Sequence, residues 1–283
     1  MARGICKLQI SGYRCCYFCR RSRRAFPQIA QIRRRLERND RSKQRGSSLT
    51  RYTRILERQT TGEMPQPPHP KIYHIVHVDR LASIATGGHL LSDAVMSGRQ
   101  GAGTTIGMSK IKKRRLTLPL ASHPRLNVGE CVPFYWCPRS VMLYLIHCDN
   151  DPDLIYHGGQ QPIVHLEADF QKTVKWAAKN EKRWAFTLSN AGSYYFEDRC
   201  QLAQLCEIDW NAVDAIWWSG PRVSSDVKEK KQAEFLVEEC FPWGLVERIG
   251  VYSKPIANRV DQALTGVAHR PLIETKRDWY YPD

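Results

Sequence analysis

The sequence predicts an α+β domain behind a basic arm, and three observations carry that prediction. Short β-branched and aromatic runs mix with amphipathic stretches, without the regular strand–helix rhythm of a doubly wound sheet. No glycine fingerprint for dinucleotides, no P-loop and no zinc-hydrolase motif occurs. The charge is divided unevenly. The 283 residues carry a formal net charge of +15, yet residues 1–63 hold 17 Lys and Arg against 4 Asp and Glu, whereas residues 64–283 hold 26 against 24. The basicity belongs to the arm, so pI alone says nothing of what the near-neutral body binds. The length allows one large domain or two small ones. No apolar run is long enough to predict a membrane span.

Residues 1–26 mix Arg with Cys and aromatics and lack the continuous apolar core of a secretory signal. Cys16 and Cys19 have zinc-like spacing, but neither His nor a second spaced pair follows in the arm, so free thiols and no metal are expected. Ile29, Ile32 and Leu36 stand at helical spacing among arginines, which suits nucleic acid, an acidic membrane surface or simply a solvated helix. A proline-rich lead-in follows Met64. We expect a flexible basic extension over 1–63 and the functional domain over 64–283, with Met64 a candidate start. The six body cysteines sit in apolar settings and read as small buried hydrophobes.

The body opens with a strand, Lys71 to Val78. Asp79 is placed to cap a helix over Arg80–Ala85, stopped by Gly87-Gly88. Residues 92–130 are polar and Gly-rich apart from a short cationic helix, Ile111 to Arg115. Cys131–Cys137 is an apolar, aromatic strand, and Ser140 opens a helix through Ile146. Further strands are expected at Pro162–Leu166, Trp184–Thr187 and Arg248–Tyr252, with helices after Asp169, over Arg199–Ile208 with Leu202 and Leu205 inward, and from Pro255. Tyr194-Tyr195-Phe196 reads either as aromatic core or as a stacking platform for bases.

One stretch organises the rest: Lys231-Gln232-Ala233-Glu234-Phe235-Leu236-Val237. A lone acid sits in an apolar strand, where an unpaired carboxylate is costly. Glu234 therefore has a fixed partner or faces a cleft. We expect the cleft, with Gln232 pointing the same way two residues earlier in the strand.

Several pieces together resemble the DarT family of bacterial NAD-dependent DNA ADP-ribosyltransferase toxins. They are Ile72-Tyr73-His74-Ile75-x-His77, Gly88 with Leu90-Leu91, Ile111–Arg115, Val132-Pro133-Phe134-Tyr135-x-x-Pro138-Arg139-Ser140, Gly158-Gly159-Gln160, Gln232–Val237, Pro242-Trp243 and Trp279-Tyr280-Tyr281. They occur in family order over roughly residues 70–282. The resemblance implies an ADP-ribosyltransferase (PARP-like) fold, in which two small mixed sheets flank an NAD cleft. It implies NAD as co-substrate and transfer of ADP-ribose to a base, commonly thymine, in single-stranded DNA. It implies Glu234 and Arg115 as catalytic residues, and His74, Ile75, Val76, Ser83, Leu91 and Arg115 as NAD contacts. A macrodomain antitoxin, DarG, is the implied partner, and a bacterial cytoplasm the implied location. This chain departs from the family pattern where Leu188 follows Phe186-Thr187 in place of an acid. Two other readings compete. One is an ADP-ribosyltransferase acting on RNA or protein, or an RNA 2′-phosphotransferase on the same fold. The other is a non-enzymatic nucleic-acid binder working through residues 1–63.

Overall fold

The structure, a computed structural model, describes residues 66–99, 103–221 and 223–282. The expectations for residues 1–63 lie outside the described residues.

β1 (Lys71–His77) passes through a 3-10 turn, Val78–Arg80, into α1 (Leu81–Gly87). Gly88 ends the helix at φ 76°, a left-handed conformation that glycine adopts freely, and β2 (His89–Leu91) follows. Asp79 does not cap α1. The 3-10 turn moves the helix start to Leu81, and Asp79 instead accepts the Thr104 N–H at 3.0 Å and the Thr104 hydroxyl at 2.7 Å. It ties a distant loop to the end of β1.

Next come α2 (Asp93–Met96), the cationic helix α3 (Ser109–Arg115), β3 (Cys131–Tyr135) and α4 (Val141–Cys148). Ser140 caps α4 by accepting the Leu143 N–H at 3.2 Å. β4 (Ile163–Asp169) runs into α5 (Phe170–Lys179), capped by Asp169 as expected. β5 (Trp184–Asn190) extends past Thr187, and β6 is the pair Asp198–Arg199. The helix expected over 199–208 is a 3-10 run, Leu202–Glu207. So short a run reaches the core with Leu205 alone, and Leu202 is 50% exposed. After α6 (Trp210–Asp214) and α7 (Ser225–Lys230), β7 (Ala233–Glu238) carries Glu234. Gln232 precedes that strand and does not share its pleat. Its amide turns back to the Lys228 carbonyl at 3.0 Å. β8 (Cys240–Pro242), β9 (Val246–Val251), α8 (Lys254–Ala263, Pro255 in its first turn) and β10 (Leu272–Thr275) complete the chain.

Eight strands form one sheet in the order β10-β9-β4-β1-β3-β7-β5-β6, and β2 pairs with β8 in a separate ribbon. Only β9–β10 is parallel among these pairs. The seam between β1 and β3 decides the architecture. β1 pairs with β4 from Lys71↔Asp169 to His77↔Ile163, but with β3 only at Tyr73↔Tyr135. Pro133 has no N–H to offer β1, and its carbonyl is taken by His74 Nδ1 at 2.7 Å. The sheet is thus two four-stranded halves joined at one residue pair, where two separate small sheets were expected.

Alternation along β1 sends Ile72 and Val76 into one apolar cluster, with Phe134, Phe235, Phe170 of α5 and Val260 of α8. Ile75 enters a second cluster with Leu143 and Ile146 of α4, Trp218 and Trp279–Tyr281. The Gly158-Gly159-Gln160 motif clasps the C-terminus. The Gln160 amide accepts the Tyr281 N–H at 3.0 Å and donates to the Tyr281 carbonyl at 2.6 Å. Of the described body cysteines, Cys131, Cys137, Cys148, Cys200 and Cys240 are free thiols. Cys131 and Cys137 are buried as expected, whereas Cys148, Cys200 and Cys240 are half-buried and Cys206 is exposed.

Candidate functional site

Glu234 has the fixed partner that a buried carboxylate requires. It is 5% exposed and receives both terminal nitrogens of Arg115, Nη1 to Oε1 at 3.0 Å and Nη2 to Oε2 at 2.9 Å. The two candidate catalytic residues, 119 positions apart, form one bidentate ion pair. Burial disfavours the Arg115 charge, but the Glu234 carboxylate outweighs it and the guanidinium pKa is raised. Glu234 lies opposite Tyr135 of β3, the residue that makes the single link to β1. Burial first, and the Glu234 charge second, push the Tyr135 phenol well above its ordinary value. A carboxylate offers about four lone-pair positions, so the pair leaves Glu234 able to accept another hydrogen bond.

Two supports for this pair were not foreseen. The first is Thr187 on β5. Register between β5 and β7 holds at Phe186↔Phe235 and resumes at Asn190↔Ala233, so the chain bulges beside Glu234. The wholly buried Thr187 hydroxyl bridges the bulge, accepting the Glu234 N–H at 3.0 Å and donating to the Ser189 carbonyl at 2.7 Å. Leu188, where the family pattern often has an acid, is half-buried against the main core. The second support is Gly129. A Cβ there would lie 2.7 Å from the Leu116 nitrogen and 2.9 Å from the Arg115 carbonyl carbon. Only glycine lets the 128–130 turn seat the end of α3 so closely. Nothing local in the sequence signals a hydroxyl patching a bulge.

The expected NAD contacts divide between two places. His74 turns toward Phe134, with ring centroids 5.6 Å apart, while Ile75 faces the other core cluster. His74, Ile75 and Val76 therefore cannot all present side chains to one ligand. Beyond Tyr73, however, the β3-facing main-chain groups of β1 have no strand to ladder with among the described residues. That split suits an amide. The Pro133 carbonyl can only accept, so His74 Nδ1 carries the proton and Nε2 is left as an acceptor. Burial pushes the His74 pKa down to about 4, the Pro133 bond opposing, and the ring is neutral at pH 7.

Ser83 and Leu91 line a cleft of about 380 Å³ with Gly87, His89, Arg99 and Cys240. The Ser83 hydroxyl is satisfied locally by the Arg80 carbonyl at 2.9 Å. The cleft does not include Glu234. α3 is tied to both regions: Lys112 bonds Asp93 of α2 at 2.7 Å, the helix whose Val95 lines the cleft, and Arg115 bonds Glu234. Among the described residues no group of three His, Cys, Asp or Glu is placed to hold a metal ion. No described helix is long and apolar enough to cross a membrane.

The chain as a whole is similar to known proteins. A DNA ADP-ribosyl transferase of Thermus sp. strain 2.9 is 36% identical over 217 residues, covering 76% of this chain and 98% of that protein. The solved structure of Thermus sp. 2.9 DarT in complex with ADP-ribosylated ssDNA aligns with a TM-score of 0.69 at 34% identity, over 77% of this chain and all of that one. The same protein in complex with NAD+ aligns with a TM-score of 0.63, over the same shares. The family model described as "ssDNA thymidine ADP-ribosyltransferase, DarT" matches residues 73–281. The family model spans most of the chain and the Thermus relative is matched over nearly its whole length, so this chain belongs to the DarT family.

Proposed function

We propose that this protein transfers ADP-ribose from NAD to thymine in single-stranded DNA. The bidentate Arg115–Glu234 pair at the joint of the split sheet carries the reading. The unladdered edge of β1 beyond Tyr73 would hold the nicotinamide amide through main-chain groups, with His74 beside it. The cleft at Ser83 and Leu91 would take more of the dinucleotide. In the reaction the bond between the ribose C1′ and the nicotinamide nitrogen breaks, and its electron pair leaves with nicotinamide. Positive charge develops on the ribose, as in glycoside cleavage. Glu234, with lone pairs to spare, accepts the 2′-hydroxyl and stabilises that charge. In thymidine the base nitrogen with a proton to lose is N3, and its attack on C1′ releases that proton to solvent water, leaving a neutral N3-linked product. Arg115, held cationic by Glu234, acts through its charge, on a pyrophosphate oxygen or on the base carbonyls as they gain negative charge. The raised guanidinium pKa argues against Arg115 itself taking the proton while it remains paired.

The same reading makes the body, from about residue 64, the toxin domain of a cytoplasmic pair, with a macrodomain antitoxin as partner. The test is to incubate the full chain with NAD and a thymine-containing single-stranded oligonucleotide, beside Glu234→Ala, and weigh the DNA. We expect a gain of one ADP-ribose unit, lost in the variant and absent from an oligonucleotide without thymine. An unmodified oligonucleotide alongside modified RNA or protein would overturn the assignment.

A further inference from the structure

α3 carries five cationic residues besides its Ser109 and Ile111, and three of them are neutralised. Lys110 pairs with Asp153, Lys112 with Asp93 and Arg115 with Glu234. Lys113 and Arg114 have no carboxylate partner among the described residues. Arg114 is half-buried, and its Nε is shielded from solvent with no hydrogen-bond partner. Its guanidinium carbon lies 5.2 Å from the centroid of the Tyr194 ring. Tyr194 is nevertheless 72% exposed, and its neighbour Tyr195 is 93% exposed. Such exposure in two consecutive aromatics is not explained by packing.

Position makes this pair of rings informative. They sit on the loop after β5, whose last residue, Asn190, pairs with Ala233 next to Glu234. The loop turns sharply, the Asn190 side chain accepting the Gly192 N–H at 2.8 Å. It also rests directly on α3, since a Cβ on Gly192 would stand 3.2 Å from Ile111 Cγ2 and 3.6 Å from Arg114 Nη2. Tyr194 thus rests against Arg114, the residue before Arg115 on α3, and its loop leaves β5 where that strand pairs next to Glu234.

Resting on the proposed function, we propose that Tyr194, backed by Arg114 and flanked by Tyr195, is a stacking platform for a base next to the target thymine. Single-strand binding combines unneutralised cations with aromatic faces, because every base has a π-face and every nucleotide a phosphate. Arg114 serves twice, fixing one face of Tyr194 and adding positive charge. The open face of the ring takes the base, while Lys113 and Arg114 face the backbone. The platform selects for the presence and stacking strength of a neighbouring base rather than for its hydrogen-bonding edge.

The experiment uses the full chain, NAD and an oligonucleotide with one thymine, together with versions carrying an abasic site at each position flanking it. Removing a stacked base or its aromatic partner costs on the order of five- to a hundredfold. We expect Tyr194→Ala to lower kcat/KM for the intact oligonucleotide by such a factor, through KM for DNA. Tyr194→Phe retains wild-type behaviour. One abasic position lowers wild-type kcat/KM equally and does not lower that of Tyr194→Ala any further. Losses that multiply at every position, or a Tyr194→Ala variant with wild-type kcat/KM, overturn the platform while the proposed function stands. A wild-type chain that modifies none of the oligonucleotides overturns the proposed function and the platform with it.

Discussion

Replacing Thr187 by valine tests whether Glu234 is held by the bulge beside it. The side chains are nearly isosteric, so no cavity opens, and only the hydroxyl is lost. Two hydrogen bonds go with it: the Glu234 N–H at 3.0 Å and the bond to the Ser189 carbonyl at 2.7 Å. Thr187 is 0% exposed, so the orphaned N–H bears the cost of an unsatisfied buried donor, about 1–3 kcal/mol. Ser189 is half-buried, and the loss of its bond costs about 0.5–1.5 kcal/mol. The sum is about 1.5–4.5 kcal/mol, which for a body of this size lowers Tm by on the order of 3–18 °C. Activity falls too. Strand β7 is released where its carboxylate must meet Arg115, and a misplacement of ~1 Å costs roughly a hundredfold. Thermal melts and ADP-ribosylation of a thymine oligonucleotide check both effects, with Thr187→Ser retaining both bonds as the control. A Thr187→Val protein that melts within about a degree of wild type, or a Thr187→Ser protein equally impaired, would refute the reasoning.

Arg115→Ala leaves the Glu234 carboxylate buried without its partner and should cost about 3–5 kcal/mol in urea unfolding. The double change Arg115→Met, Glu234→Leu should recover most of that stability while remaining inactive. A double variant no more stable than Arg115→Ala would show that the pair is not what holds the region. Gly129→Ala forces the end of α3 away from contacts of 2.7–2.9 Å, all with backbone. We expect a loss of about 1–3 kcal/mol with at least a tenfold fall in activity, and unchanged activity would show that α3 yields elsewhere. His165 is wholly buried, donates Nε2–H to the Pro138 carbonyl at 3.0 Å, and is held down to about pKa 4 by that burial. Because its folded pKa lies below the ordinary 6.5, its contribution is complete above pH 6.5 and is lost as pH falls toward 4. The urea midpoint should therefore decline across that window, and His165→Phe should flatten the decline. An equal slope in both proteins would refute it.

Much of this protein can be read along the chain. β1 and β7 announce themselves through β-branched and aromatic runs, Ser140 and Asp169 stand where helices need caps, and Gly88 stands where one must stop. Glu234 is visible as an anomaly, an acid in an apolar strand, and that costliness demanded a partner or a cleft. The cationic run at 111–115 was equally plain. These signals are local, set by periodicities of 2 and 3.6 and by backbone groups within a few residues. Tertiary structure decided what lies across long separations. It chose Arg115, 119 residues away, as the partner of Glu234, and it freed Asp79 from capping to bind Thr104. It left Leu202 outside and placed Tyr194 and Tyr195 on the surface beside α3 rather than in the core. Most consequential is Pro133: the missing N–H is written in the sequence, yet only strand order places it against β1. The split beside it exists because a proline and a histidine from distant strands meet there, and hydrophobic periodicity does not encode which strands become neighbours.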